Sequence, residues 1–306
     1  MRKHIVACFM LGGLVAAIGC GGGSETPPAK TTAKTSGSGN REKTPPSSEG
    51  TDKAPKPAPS SSSPKAGGWG TLKGRFAFVG DAPTPSPLTI TQDREYCGKH
   101  DIHDESLLVN KDNQGIANVV VYLYAKRGEQ MPSAHESYAA GAAEQVVLDN
   151  NQCRFAPHVC LLQTSQTLII KNSDEVGHNT NIAPSENTSF NQTIPVGGKM
   201  ECKFESAERR PAPVSCNIHP WMKGWVMPMD TPYYALTNEN GEFEIKNLPS
   251  GTWTFQVWHE LGSGIDEVEL AGGKAEWSKG RVELAIEADG TNDLGDIKVD
   301  ASLFKP

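Results

Sequence analysis

The sequence predicts an all-β fold of packed sandwiches, and three observations predict it. From Trp69 onward the chain is a succession of short runs rich in β-branched and aromatic residues, such as Asn118–Tyr124, Thr167–Lys171 and Thr252–Trp258. Turn-forming residues punctuate them, with 31 Gly and 22 Pro in 306 residues. Long helical periodicity is nearly absent, since only Ser133–Glu144, rich in Ala and Glu, has the composition of a helix. Many short strands with frequent turns are the pattern of a β-sandwich.

The elements follow in order. Residues 1–20 read as an export signal, with Arg2, Lys3 and His4 before an apolar stretch, Ile5–Ile18, that is too short to span a membrane comfortably. The run Ala17-Ile18-Gly19-Cys20 resembles a bacterial lipobox, in which Cys20 would be acylated after cleavage; an ordinary signal peptide is the alternative. Residues 21–68 hold no aromatic residue and no Leu, Ile or Val. Such a segment buries too little apolar area to offset its chain entropy, so a disordered tether is expected, stiffened at Pro55, Pro57 and Pro59. The expected strands are then Leu72–Val79, Asn118–Tyr124, Val146–Leu148, His158–Gln163, Thr167–Lys171, Lys199–Phe204, Pro213–Cys216, Trp225–Met227, Tyr233–Thr237, Glu242–Ile245, Thr252–Trp258, Glu267–Leu270, Glu276–Ile286 and Asp296–Val299.

These runs divide into two blocks. Residues 145–229 hold a dense histidine- and cysteine-bearing block. Residues 69–144 and 230–306 hold a second one, with Gly70–Gly74, Val119–Leu123, an Asn240-Gly241 turn before Phe243, and Leu248-Pro249-Ser250-Gly251. Asn-Gly suits a hairpin because both residues tolerate positive φ. The second block resembles the carboxypeptidase-regulatory, transthyretin-like sandwich, and the first is then expected to be inserted in it or packed beside it.

Charge excludes one class of function. With a net charge of -7 and a pI near 5.7, nothing supports nucleic-acid binding. Neither a Ser-His-Asp order nor a phosphate-binding glycine loop is evident, so no enzymatic activity is expected.

The chemistry concentrates in Cys216-Asn217-Ile218-His219-Pro220-Trp221-Met222, with Asn172-Ser173-Asp174-Glu175-Val176-Gly177-His178-Asn179 upstream. One thiolate (Cys216), two imidazoles (His178, His219) and one thioether (Met222) form the donor set of a blue-copper site, a trigonal His₂Cys plane with a weak axial Met. Zinc is less suited, since structural zinc seldom uses Met. A two-copper site is disfavoured because the loop holds a single cysteine. Two residues let the chain turn from Cys216 to His219, two more reach Met222, and Pro220 stiffens the loop by fixing φ. His178 is expected on a separate loop. Read singly, each of these residues has a bland alternative as core, surface or disulfide.

On these motifs the block resembles the cupredoxins, plastocyanin-like copper proteins, and its ligand loop is most similar to that of amicyanin. It also looks like the methylamine-utilisation-type domains of environmental bacteria. The resemblance implies one type 1 copper ion and a role for Asn179 in tying the ligand loops together. It also implies an electron gateway at the exposed edge of His219.

Of seven cysteines, Cys97, Cys153, Cys160 and Cys202 remain after Cys8, Cys20 and Cys216 are assigned. Four allow three pairings; Cys97–Cys153 with Cys160–Cys202 is the expected one, with free buried thiols as the alternative. His158 reads as structural, with a further ligand or an electron exit as alternatives. His100 and His103, beside Asp101 and Asp104, form a weaker second metal patch. Trp221 and Trp225 are candidates for an apolar docking surface.

The expected function is a single-electron carrier, lipid-anchored to the periplasmic or outer face of a bacterial membrane, whose partner is a redox protein such as a cytochrome or dehydrogenase. A copper-buffering lipoprotein and a non-redox surface-binding module are the alternatives.

Overall fold

The computed structural model describes residues 67–126 and 128–304. The export signal, Cys20 and the tether lie outside the described residues. Strands dominate, arranged in four sheets. No helix among the described residues is long and apolar enough to cross a membrane.

Two sheets come from the ends of the described chain. The first runs in the order Glu242–Pro249, Trp69–Val79, Thr291–Asp300, Glu267–Leu270 and Gly273–Glu276. The second runs Tyr234–Leu236, Val120–Leu123, Gly251–Trp258 and Arg281–Ile286. Leu72, Phe76, Val121, Leu123, Phe243, Phe255, Val257 and Ile297 fill one core between them. The Asn240-Gly241 turn forms, with Gly241 at φ 78°, and its missing Cβ lets the backbone pass Phe76 closely.

The other two sheets are built from strands between Gln145 and Met229. One is ordered Arg154–Ala156, Gln145–Asn151, Thr167–Asn172 and Lys199–Cys202; the other Val159–Gln163, Lys223–Met229, Ala212–Ser215, His178–Ile182 and Phe190–Ile194. Leu148, Phe155, Leu162, Ile170, Ile182, Val214 and Val226 pack between them. Sequence neighbours often sit in opposite sheets. Val159–Gln163 pairs in parallel with Lys223–Met229 and Gln145–Asn151 with Thr167–Asn172, so the chain crosses from layer to layer between partners.

The Val120–Leu123 strand explains how the two pairs of sheets meet. All four of its residues are buried. Val121 and Leu123 point into the first core, while Val120 and Tyr122 face Val159, Met227 and Met229 across a third cluster. A strand covered on both faces reads as a continuous apolar run rather than an alternating one. Trp258 joins the same cluster and packs against Trp225 with ring centroids 5.0 Å apart.

Three local expectations are corrected. Ser133–Glu144 is not a helix but two single 3₁₀ turns, Glu136–Tyr138 and Gly141–Ala143, since its Gly and short length do not sustain a nucleus. The run expected as Glu276–Ile286 breaks at a Lys279-Gly280 turn with both residues at positive φ. His178 is not on a loop; it opens the strand His178–Ile182, paired with Phe190–Ile194, whose polar sequence hides it from pattern reading.

Candidate metal centre

The centre is assembled at one end of the sheet that carries Ala212–Ser215 and His178–Ile182. Cys216 follows directly on Ser215, where the strand releases the chain. The ligand loop then closes on itself: Met222 N–H donates to the His219 carbonyl (2.9 Å) and Cys216 N–H to the Met222 carbonyl (3.3 Å). The amides of Asn179 and His219 both point at the Cys216 sulfur, each at 3.4 Å. Asn179 spans the loops: its Oδ1 accepts from Asn217 N–H at 3.1 Å and its Nδ2 donates to Asn191 Oδ1 at 2.7 Å.

His178, Cys216 and His219 are buried, and their ligand atoms all lie within 4.8 Å of one another. The rings of His178 and His219 are 4.6 Å apart. His219 turns Nδ1 toward the sulfur at 3.7 Å. Met222 is buried in the core that also holds Cys216. Pro220 is exposed at the tip of the turn.

Both imidazoles are held from behind by carboxylates. His178 Nε2 lies 2.8 Å from Asp174 Oδ2. Asp174 also accepts from Gln152 N–H (2.5 Å), Cys153 N–H (2.8 Å) and Tyr96 O–H (3.0 Å). Gln152 and Cys153 both have positive φ, which makes a small nest of amides around this buried anion. Burial works against ionising Asp174, but His178 and these donors win and keep its carboxyl below the usual range. His219 Nε2 lies 2.9 Å from Asp93 Oδ2. Asp93, Tyr96 and Asp174 were not singled out from sequence. Asp174 stands in the quoted ligand lead, but nothing in the sequence links Asp93 and Tyr96 to the site.

Those residues arrive on a cap, the chain between the strands Trp69–Val79 and Val120–Leu123, which carries the short helix Arg94–Cys97. A disulfide joins Cys97 to Cys153. Around it Ile102, Tyr96, Leu88 and Ile90 pack on Val176 and Trp221, the flanks of the two ligand segments.

The remaining expectations divide. Cys160 and Cys202 are free buried thiols, not a disulfide. Cys160 sits on an outermost strand that neighbours Gln145–Asn151, whereas Cys202 sits on the opposite edge, whose strand neighbours Phe190–Ile194. The two tryptophans expected to dock a partner are both half-buried. Trp225 is packed against Trp258 between the sheets. Trp221 stacks on His219 at 5.0 Å and donates Nε1–H to the Cys153 carbonyl (3.0 Å) beneath the cap. The exposed apolar side chain of the loop is Ile218. His219 has no exposed edge, because the cap covers it. His158 bridges Glu260 (Nε2 to Oε2, 2.6 Å) and stands 3.8 Å from Glu105. Neither His158 nor His100 and His103 joins a cluster of three metal-binding side chains among the described residues.

The residues suit a copper ion on their own chemistry. His178 Nδ1 is buried with the Cys216 sulfur beside it and no nitrogen or oxygen partner. Burial would raise the Cys216 thiol, yet His178, His219 and the two amides bring it down to about 6, so the thiolate a metal needs is present at neutral pH. Two imidazoles and a thiolate, with Met222 buried in the core that holds Cys216, match copper better than structural zinc.

No family model matches the sequence, and no curated protein does. The structural neighbours are cupredoxins and a cupredoxin-related enzyme. A purple cupredoxin from Nitrosopumilus maritimus is 22% identical, with 28% of this chain and 98% of that one covered and a TM-score of 0.24. The Cu-containing nitrite reductase of Thermus scotoductus is 17% identical, with 35% of this chain but 25% of that one covered and a TM-score of 0.26. A Cu(I) amicyanin variant is 16% identical over 35% of this chain and 97% of its own, with a TM-score of 0.25. At these TM-scores the likeness decides nothing about chemistry.

Proposed function

We propose that this chain is an exported, lipid-anchored type 1 copper protein that carries single electrons between extracytoplasmic redox partners, without enzymatic turnover of its own. One observation carries the reading. The Cys216 sulfur, aimed at by two amides, meets the imidazoles of His178 and His219 in a buried space beside Met222. A bound copper ion would supply reversible one-electron chemistry. The chain's part is to keep its donors in one arrangement for both oxidation states. The hydrogen bonds to the sulfur and the carboxylates behind both imidazoles do this by fixing each ligand before metal arrives.

On this reading the strands between Gln145 and Met229 are a cupredoxin domain inserted in a transthyretin-like sandwich. The Cys20 motif and the polar stretch 21–68 support a lipid anchor with a tether, holding the protein at a membrane face for a cytochrome- or dehydrogenase-type partner. A second reading, a copper-buffering protein, is favoured by the covered His219, since a closed site slows exchange.

The test is the visible spectrum of the full chain after one equivalent of Cu(II). An intense thiolate-to-copper band that disappears in Cys216→Ser is expected, and a colourless protein would overturn the proposal. Rapid electron exchange with a cytochrome separates the carrier from the buffer.

A further inference from the structure

The second imidazole of the centre is fixed by a residue from the cap. Asp93 precedes the helix Arg94–Cys97, and its carboxylate reaches His219 Nε2 at 2.9 Å across 126 positions of sequence. A carboxylate accepts and does not donate, so it favours a proton on Nε2 and holds the ring with Nδ1 turned toward Cys216. Asp174 treats His178 in the same way.

The position of Asp93 is over-determined. Its backbone sits at φ 44°, in the left-handed region, and its carbonyl accepts from the amides of Tyr96 (2.9 Å) and Cys97 (2.8 Å). Tyr96 then donates to Asp174, and Cys97 is bonded to Cys153. One short helix therefore touches both ligand–carboxylate pairs. A casual surface contact is the bland alternative, because the Asp93 side chain is 44% exposed. Against it stand the complete burial of His219 and the independent fastenings of the helix.

We infer that Asp93 is a positioning residue for His219, delivered by a disulfide-stapled cap that also closes the outer face of this imidazole to solvent, chelators and partners. The inference rests on the copper reading for its consequences, but not for its geometry. A redox partner would then meet the cap at Asp93 rather than an open histidine edge.

The test compares full-length parent, Asp93→Ala and Asp93→Asn proteins. In the metal-free state, ¹⁵N shifts of labelled His219 should report one tautomer, protonated on Nε2, in the parent. Asp93→Ala should give a mixture, and Asp93→Asn, which retains an acceptor oxygen, should restore the parent tautomer. After copper loading, Asp93→Ala should bind copper about 10- to 100-fold more weakly and surrender it faster to an external chelator. Unfolding midpoints of the variants check that the fold survives. An unchanged tautomer in folded Asp93→Ala would overturn the positioning role, and an unchanged rate of copper extraction would overturn the cover. If the parent binds no copper, the copper reading falls, while the metal-free ¹⁵N spectrum still decides the role of Asp93.

Discussion

Asp174 and His178 form a fully buried pair, Oδ2 to Nε2 at 2.8 Å, within four residues of each other. A buried charge persists only when paired and hydrogen-bonded, and Asp174 gathers three further donors to meet that need. Its substitution is therefore expected to damage both metal binding and fold. Asp174→Asn should weaken copper binding about 10- to 100-fold, read by competition with a copper chelator, and should lower the unfolding midpoint. Parent-like affinity would show that the pair does not orient His178.

The thiol of Cys216 gives a pH prediction. Burial alone would raise it, but the imidazoles and amides around it bring it from 9.0 to about 6. A depressed acid contributes stability that is full above its unfolded pKa and lost as pH falls through its folded pKa. Between about pH 9 and 6 the metal-free fold thus holds a thiolate where the unfolded chain holds a thiol, so stability from this source is full above about 9, drains away as pH falls toward about 6, and is absent below that. His178 has the opposite sign. Burial lowers its pKa, but Asp174 and Cys216 raise it above the ordinary value, so its contribution fades as pH rises through the raised value. Ultraviolet absorbance of the metal-free protein should show one thiolate appearing near pH 6. Cys160 and Cys202, pushed by burial up to about 12 and about 11, should stay silent there. A first thiolate appearing only near pH 9 would contradict the arrangement.

The cysteine assignment is open to direct chemistry. Alkylation of the denatured, unreduced protein should modify Cys160, Cys202 and Cys216 and recover Cys97 joined to Cys153. Replacing the bridged pair by serine opens a span of 56 positions and should cost about 2–4 kcal/mol of stability, read by denaturant unfolding. A peptide linking Cys160 to Cys202 would refute the assignment.

Trp258 tests the contact between the two pairs of sheets. It is buried against Trp225, Met227 and Met229, far along the chain from the ligand loop. Trp258→Ala should remove about 3–5 kcal/mol yet leave the copper band in place. Loss of colour in a protein that stays folded would mean that this contact shapes the site directly.

The ligand loop is legible in sequence because its chemistry is local. Cys216, His219 and Met222 follow one another at a spacing that a single turn closes. The Asn-Gly turn at 240–241 is legible for the same reason. What stays hidden is what the chain brings from a distance. Asp93 and Tyr96 lie in a polar stretch with no periodicity, and only the topology sets them behind the imidazoles. His178–Ile182 is concealed by its polar residues, which are buried around the site instead of alternating on a sheet face. Exposure is equally non-local. Trp221 and Trp225 look like surface anchors beside the loop, and only the cap and the neighbouring sheet show that each is half-buried by a distant part of the chain. Cys160 and Cys202 match in residue type and not in place, since they occupy opposite edges of the sandwich.

The strand Val120–Leu123, buried on both faces, has a practical consequence for anyone who trims this protein. Excising residues 145–229 would strip the neighbour from Val159, Trp225, Met227 and Met229 and lay an oily wall open to water. The shortened product would tend to clump in solution even with every metal ligand intact. A minimal version should therefore either retain the Val120–Leu123 and Gly251–Trp258 strands or carry new polar side chains on that wall.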